Sequence, residues 1–142
     1  MDDGLKARLR EFGADKGLAR LGDSFVNLVY SAAKTKSQGK PTGEKVPDRV
    51  LSESLRLADL PIPVRLDHGE RGDVVEAVLG YAWMHGMLTL EEAVETVRQT
   101  MALQDFQSIA LERDLSARAF SKLLKMAFGR IMEAEGNARA GA

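Results

Sequence analysis

The sequence predicts an all-α fold with no strands. Apolar residues return every three or four positions along nearly the whole of its 142 residues, which is the period of one helix face and not the alternation of a half-buried strand. All four prolines fall in two short stretches, 37–47 and 59–69, each of which also holds glycine. Such stretches read as irregular links between helices. No internal repeat or low-complexity block interrupts the pattern, and the length suits one domain.

The elements follow in order. Leu5, Leu9 and Phe12 give a short first helix, stopped near Gly13. Leu18, Leu21, Phe25, Leu28, Val29, Ala32 and Ala33 form a wide apolar stripe on a second helix of about 20 residues. After the loop SQGKPTGEKVP, a third helix is expected from about Asp48 to Ala58, with Val50, Leu51, Leu55 and Ala58 inward. The link DLPIPVRLDHG leads to a fourth helix, about Glu70 to Gly86, that buries Val74, Val75, Val78, Tyr81 and Ala82 in part. TLEE, residues 89–92, has the form of a capping box with Thr89 at the N-cap and Glu92 three residues on. The helix it opens carries Ala93, Val94, Val97 and Met101. Asp114 or Ser116 is the expected cap of a last helix, whose inner side holds Phe120, Leu123, Leu124, Phe128 and Ile131. The helical domain is expected over residues 1–135, with GNARAGA, 136–142, as a frayed tail.

Composition narrows the function. There is no cysteine, so disulfides and thiolate metal sites are excluded. The start, MDDGLKARLREFG, is charged and lacks an apolar h-region, so no signal peptide is expected. No apolar run nears the roughly 20 residues of a membrane span, and the expected home is the cytoplasm. Net charge is −1, from 20 Lys and Arg against 21 Asp and Glu. That balance argues against general coating of nucleic acid and leaves local patches. Residues 34–49 carry five basic and two acidic side chains, whereas 91–105 carry four acids and one arginine.

Acids inside apolar helices are the notable feature. Asp73 and Glu76 are three apart, which sets both on one helix face with Cβ atoms about 5–6 Å apart. Asp23 stands among Leu21, Phe25 and Val26, beside Gly22. A glycine within a helix costs about 1 kcal/mol against alanine, and it fits where another backbone or a ligand comes close. Two readings stay open. Carboxylates from two helices meeting at one point repel, and a hard divalent cation relieves that repulsion. Alternatively, Asp73 favours its helix dipole, Glu76 faces water and Asp23 is a satisfied polar contact. His68 either donates to a phosphate or fills a cap. His85 reads as a packed residue. Asn27 and Ser31 follow Asp23 at intervals of four. Asn27 is placed either to bond that aspartate or to make a polar contact across a subunit boundary. Lys34, Lys36, Lys40, Lys45 and Arg49 form a basic loop, either a solvated face or a row of phosphate contacts that carries no base code.

LGDSFVNLVYSAA, residues 21–33, resembles the signature helix of ribonuclease III domains. RGDVVEAVLGYAWMHG, residues 71–86, resembles the later acidic helix of that domain, and KVPDRVLSESLRLADL, residues 45–60, the helix between them. The similarity covers about residues 15–90 well and the last fifty or so loosely, and it is closest to a small archaeal branch built of this one domain. It implies an all-helical homodimer that cuts double-stranded RNA by metal-dependent hydrolysis, leaving 5′-phosphate and 3′-hydroxyl ends. By the same resemblance Asp23, Asp73 and Glu76 are catalytic and hold Mg²⁺ or Mn²⁺, while Lys16, Lys40, Lys45 and Arg49 contact RNA phosphates. Family analogy also puts the dimer face on the helix bearing Phe25, Leu28, Val29 and Tyr30. The family carries further glutamates before its Leu-Gly-Asp, at the positions of Ala19 and Lys16. Alanine cannot ligate a metal. Asp15 through a water, Glu44 from the loop, or the charge of Lys16 itself are the candidate substitutes. A second expectation follows, an RNA-binding or assembly module that keeps the fold with weakened or lost catalysis.

Overall fold

The computed structural model describes residues 2–63, 65–101 and 108–141. They form six helices: α1 (Asp2–Ala14), α2 (Lys16–Gln38), α3 (Asp48–Leu57), α4 (His68–Met84), α5 (Leu90–Met101) and α6 (Ile109–Gly141). There is no strand among the described residues, so the class is the one the apolar period predicts. Asp105 of the acidic run lies outside the described residues. No described helix is long and apolar enough to cross a membrane.

α4 is the axis of the fold. It packs against α1, α2, α3 and α6, while α5 closes the far side between α2 and α6. Val74, Val75, Ala77, Val78, Leu79 and Ala82 are each 1% exposed or less. Consecutive residues are therefore buried, and the burial runs round the helix instead of along one stripe. The expectation of partial burial was too modest because it treated α4 as a surface helix.

The tightest crossing joins α2 to α4 through two glycines. A Cβ built on Gly22 would stand 1.7 Å from the Glu76 carbonyl oxygen, and one on Gly80 would stand 3.0 Å from both the Gly22 nitrogen and the Leu18 carbonyl oxygen. The two backbones touch with no side chain between them, which is the close approach that Gly22 signals in the sequence.

Termini follow local chemistry with two departures from expectation. Asp15 caps α2 by accepting from the Leu18 N–H at 3.1 Å, and Asp67 caps α4 by accepting from the Glu70 N–H at 2.8 Å. Thr89 caps α5 through the Glu92 N–H at 3.1 Å, as the TLEE motif predicts. The last helix starts earlier than expected. Ser108 accepts from the Leu111 N–H at 3.0 Å and opens α6, so neither Asp114 nor Ser116 is its cap. Those two sit inside the helix, where Asp114 pairs with Arg118 one turn on and Ser116 donates to the Glu112 carbonyl at 2.7 Å. A polar residue satisfied one turn away imitates a cap in sequence. At its other end α6 passes Gly136 and runs to Gly141, with no helix end at residue 135.

Polar contacts pin the outer helices. Arg8 of α1 reaches Glu135 of α6 at 2.6 Å and lies 4.2 Å above the Phe12 ring. Arg130 of α6 holds Glu92 of α5 at 2.5 Å and donates to the Met87 carbonyl at 3.0 Å. Lys34 is buried and pairs with Glu112 and Glu44. Burial alone would lower its pKa, but the hydrogen bonds to Glu112 and Glu44 outweigh that and raise it. Lys34 is thus an internal strut rather than part of a solvated basic row, and Glu44 is committed to it.

The Gly22 contact makes a direct prediction. Gly22→Ala forces α2 and α4 apart and costs about 3 kcal/mol or more. Gly129→Ala on α6, where an added Cβ meets nothing within 4 Å, is neutral or stabilises by up to about 1 kcal/mol. Urea unfolding of the two variants checks the contrast.

Candidate active site

The backbone contact at Gly22 sets the site. Because Gly22 lies on the backbone of Glu76, the next residue of α2, Asp23, emerges beside the Glu76 side chain. Asp73 is one turn earlier on α4 and shares that face. α3 brings a fourth carboxylate, Asp48, its first residue.

A polar ladder on α2 fixes where α3 begins. Asn27, Ser31 and Thr35 are four apart and bond Val46, Glu44 and Thr42, which are two apart, in antiparallel order. Asn27 Oδ1 accepts from the Val46 N–H at 2.8 Å. Ser31 Oγ accepts from the Glu44 N–H at 2.8 Å and donates to its carbonyl at 3.1 Å. Thr35 Oγ1 does the same with Thr42 at 3.0 and 3.3 Å. Four helical residues rise about 6 Å and two extended residues span about 6.6 Å, so the two periods match. The N–H groups of Thr42, Glu44 and Val46 and the carbonyls of Thr42 and Glu44 are thereby satisfied without a sheet, and Lys45 and Asp48 are delivered to the acids. Asn27 also donates to Asp23 Oδ1 at 3.3 Å, so it joins the loop to the site within one chain.

The four acids line one cavity of about 310 Å³, together with Lys16, Ala19, Arg20 and Lys45. Glu76 is only 8% exposed, so the solvent-facing reading of that residue falls. Its pKa is pushed up to about 8. Burial is the largest cause, then a hydrogen bond to Asp23, then the negative charges of Asp23, Asp73 and Asp48. At neutral pH the carboxyl of Glu76 therefore holds a proton and donates it to Asp23. Asp73 is balanced differently. Lys16 Nζ lies 2.8 Å from Asp73 Oδ2, and that contact raises the lysine's pKa. As they stand, one acid shares a proton and another an ammonium. Among the described residues no three acidic or histidine side chains are already gathered at ligand distance.

The other candidate residues divide. Lys16 and Lys45 stand at this cavity. Arg49 lines a separate one, and Lys40 lies exposed in the loop. Asp15 is occupied as a cap and Glu44 by Lys34, so neither substitutes for the side chain that Ala19 lacks. His68 Nδ1 shares a 2.9 Å hydrogen bond with Ser52 Oγ, away from the acids. His85 packs on Tyr81 with ring centroids 4.2 Å apart. Sequence reasoning missed Asp48 and Arg20. Asp48 follows Pro47 and looks like an ordinary first-turn acid. Only the route of the loop turns it toward the cavity. Arg20 lies one position after Ala19 on a helix already read for its apolar face.

The raised pKa of Glu76 fixes the sign of a pH effect. Its ordinary value is 4.5 and its folded value about 8, so between these the folded chain binds a proton the unfolded chain lacks. Stability of the metal-free protein then falls as pH rises through that window. The expected outcome is a lower urea midpoint at about pH 8.5 than at about pH 5.5, with the slope reduced in Glu76→Gln. A wild-type midpoint that climbs over that range would contradict the shared proton.

No curated protein matches the chain. Residues 16–133 match the family model described as Ribonuclease III, a span that takes in α2 through most of α6 and every residue of the acid-lined cavity. With its all-helical fold and its carboxylates gathered by the α2–α4 crossing, the chain belongs to the ribonuclease III family.

Proposed function

We propose that this protein is a divalent-metal-dependent endoribonuclease that hydrolyses phosphodiester bonds in double-stranded or structured RNA, and that within the family it is akin to the small archaeal branch. One observation carries the reading. Four carboxylates from three helices line one cavity whose rim is basic. An all-oxygen, multiply acidic donor set suits Mg²⁺ or Mn²⁺. The proton on Glu76 and the ammonium on Asp73 mark where positive charge is needed. Asp23, Asp73 and Glu76 would hold the ion, with Asp48 as an additional acid in the cavity that Ala19 also lines. A bound ion supplies an activated water and neutralises charge on the phosphate.

The chain's own residues do the rest. Metal binding requires Glu76 to give up its proton, which favours occupancy at higher pH. Lys16 must leave Asp73, and its freed ammonium is then placed to meet a phosphate oxygen as a point charge. Arg20 and Lys45 neutralise neighbouring phosphates and position the strand. Asn27 keeps Asp23 oriented.

A homodimer fits the surface. Leu28, Trp83 and Met84 are 52%, 44% and 51% exposed. Leu28 and Trp83 line an apolar groove of about 180 Å³ with Leu21, Phe25 and Leu90. Apolar exposure of this kind marks interaction sites, and a second copy is the proposed occupant. Of the stripe expected there, Phe25, Val29 and Tyr30 are buried, which narrows the exposed face to Leu28 with α4's end, Phe25 lining the groove beneath.

The Lys16–Asp73 pair also favours a second reading, a module in which the lysine permanently replaces the ion and RNA is held uncut. One assay separates the two. Purified protein is incubated with structured RNA and Mn²⁺, with EDTA, Asp23→Asn and Glu76→Gln as controls. The enzyme reading expects cleavage that EDTA abolishes and that each variant lowers about a hundredfold or more. Metal-indifferent binding without cleavage would establish the module.

A further inference from the structure

A second cavity, of about 480 Å³, shares no lining residue with the acid-lined one, although Asp48 and Arg49 are neighbours in the chain and Arg71 lies two residues before Asp73. Three helices contribute cations to it: Arg49 from α3, Arg71 from α4 and Arg113 from α6. Its two acids are already taken. Arg56 Nε donates to both oxygens of Glu53 at 3.1 and 3.0 Å, and Arg118 Nε is 3.1 Å from Asp114. Neither Arg56 nor Arg118 lines the cavity. Among the described residues, by contrast, none of the three lining arginines has a carboxylate partner.

Arg71 is the decisive member. Its Nε is buried without an acceptor among the described residues. A guanidinium N–H closed off from water with nothing to donate to is costly and rare in native proteins. Beside it Ser52, 3% exposed, shares its hydroxyl with His68 at 2.9 Å. The cavity thus presents three guanidinium groups that only donate, with a hydroxyl and an imidazole. That array is wrong for a cation and too charged for an apolar ligand. It matches the several acceptor oxygens of a phosphate, which guanidinium groups bind in paired geometry.

We propose that this cavity is a phosphate-binding site, with Arg49, Arg71 and Arg113 as the charged donors and the hydrogen-bonded Ser52–His68 pair supplying a further donor. The inference does not depend on the nuclease reading. The ligand is a phosphate group, carried either by an RNA strand or by a free phosphate ester.

The test titrates the full chain, kept metal-free with EDTA, with inorganic phosphate at constant ionic strength, following heat release and thermal midpoint. Saturable binding that raises the midpoint is expected, where chloride does nothing. Arg71→Met and Arg113→Ala each weaken it about tenfold or more. Arg113 is exposed, so its variant keeps the experiment informative if Arg71→Met fails to fold. Lys122→Ala, at an exposed lysine of α6 that lines neither cavity, leaves phosphate affinity within about twofold. Competition by a 5′-phosphorylated RNA strand but not by its 5′-hydroxyl counterpart assigns the phosphate to an RNA end. Equal competition by both strands assigns it to the RNA backbone. Competition by a nucleoside monophosphate alone assigns it to a free ester. Absence of saturable phosphate binding, or binding lost in Lys122→Ala and kept in Arg113→Ala, would overturn the proposal.

Discussion

The contact of Gly22 on the backbone of Glu76 is the constraint from which the rest of the architecture follows. Helix axes normally stand 8–10 Å apart because side chains separate them. Here two glycines, Gly22 and Gly80, remove the spacers, and α2 and α4 approach backbone to backbone. The remaining faces of α4 are then covered by α1, α3 and α6, which explains why so many consecutive α4 residues are shut off from water. It also explains how a glutamate comes to be buried. Glu76 is carried inward by a helix whose apolar neighbours gain more from burial than one carboxyl loses, provided that carboxyl is neutral or paired.

The charge in the acid-lined cavity is settled by two provisional partners. A proton bridges Glu76 to Asp23, and Lys16 sits on Asp73. Both are exchangeable, in contrast to the Lys34–Glu112–Glu44 cluster, where a buried lysine is held by two carboxylates at once. The same chain therefore uses carboxylate–ammonium pairing in two ways. At the far end of α2 it is structural, with the lysine buried between two carboxylates. At the near end the lysine is more than half exposed, so water screens the pair and little energy opposes its opening.

Much of the fold was legible because helix period and turn chemistry are local. Thr89 marks its helix start by hydroxyl geometry alone, and Gly22 announces a close approach because nothing else justifies a glycine in that stripe. Asp23, Asp73 and Glu76 were visible as acids among apolar residues, and the family likeness is what proposes a shared purpose for them. What escaped depends on tertiary routing. Ser108 was overlooked as the start of α6 because Asp114 and Ser116 offer the same side-chain chemistry nearer the strong apolar pattern. Asp48 reads like any acid at a helix start until the loop's path is known. Lys34 reads as surface charge until Glu112, seventy-eight residues away, is seen to meet it. Arg71 and Arg113 carry no local signal at all, since what sets them apart is that they have no carboxylate partner among the described residues.

The seam between α2 and the 42–46 segment holds one more consequence. It works as a vernier, in which Asn27, Ser31 and Thr35 catch alternate residues of the facing strand of chain. Adding or deleting a single residue between Thr42 and Val46 puts the residues on one side of the change out of phase and turns their polar groups away from the teeth they meet. A two-residue change restores phase but shifts the join to α3 by one helical turn, carrying Asp48 off the acids. A change of chain length is therefore tolerated only on the Gly39–Pro41 side, before the first tooth, where the reach of Lys40 can lengthen or shorten without moving a single carboxylate.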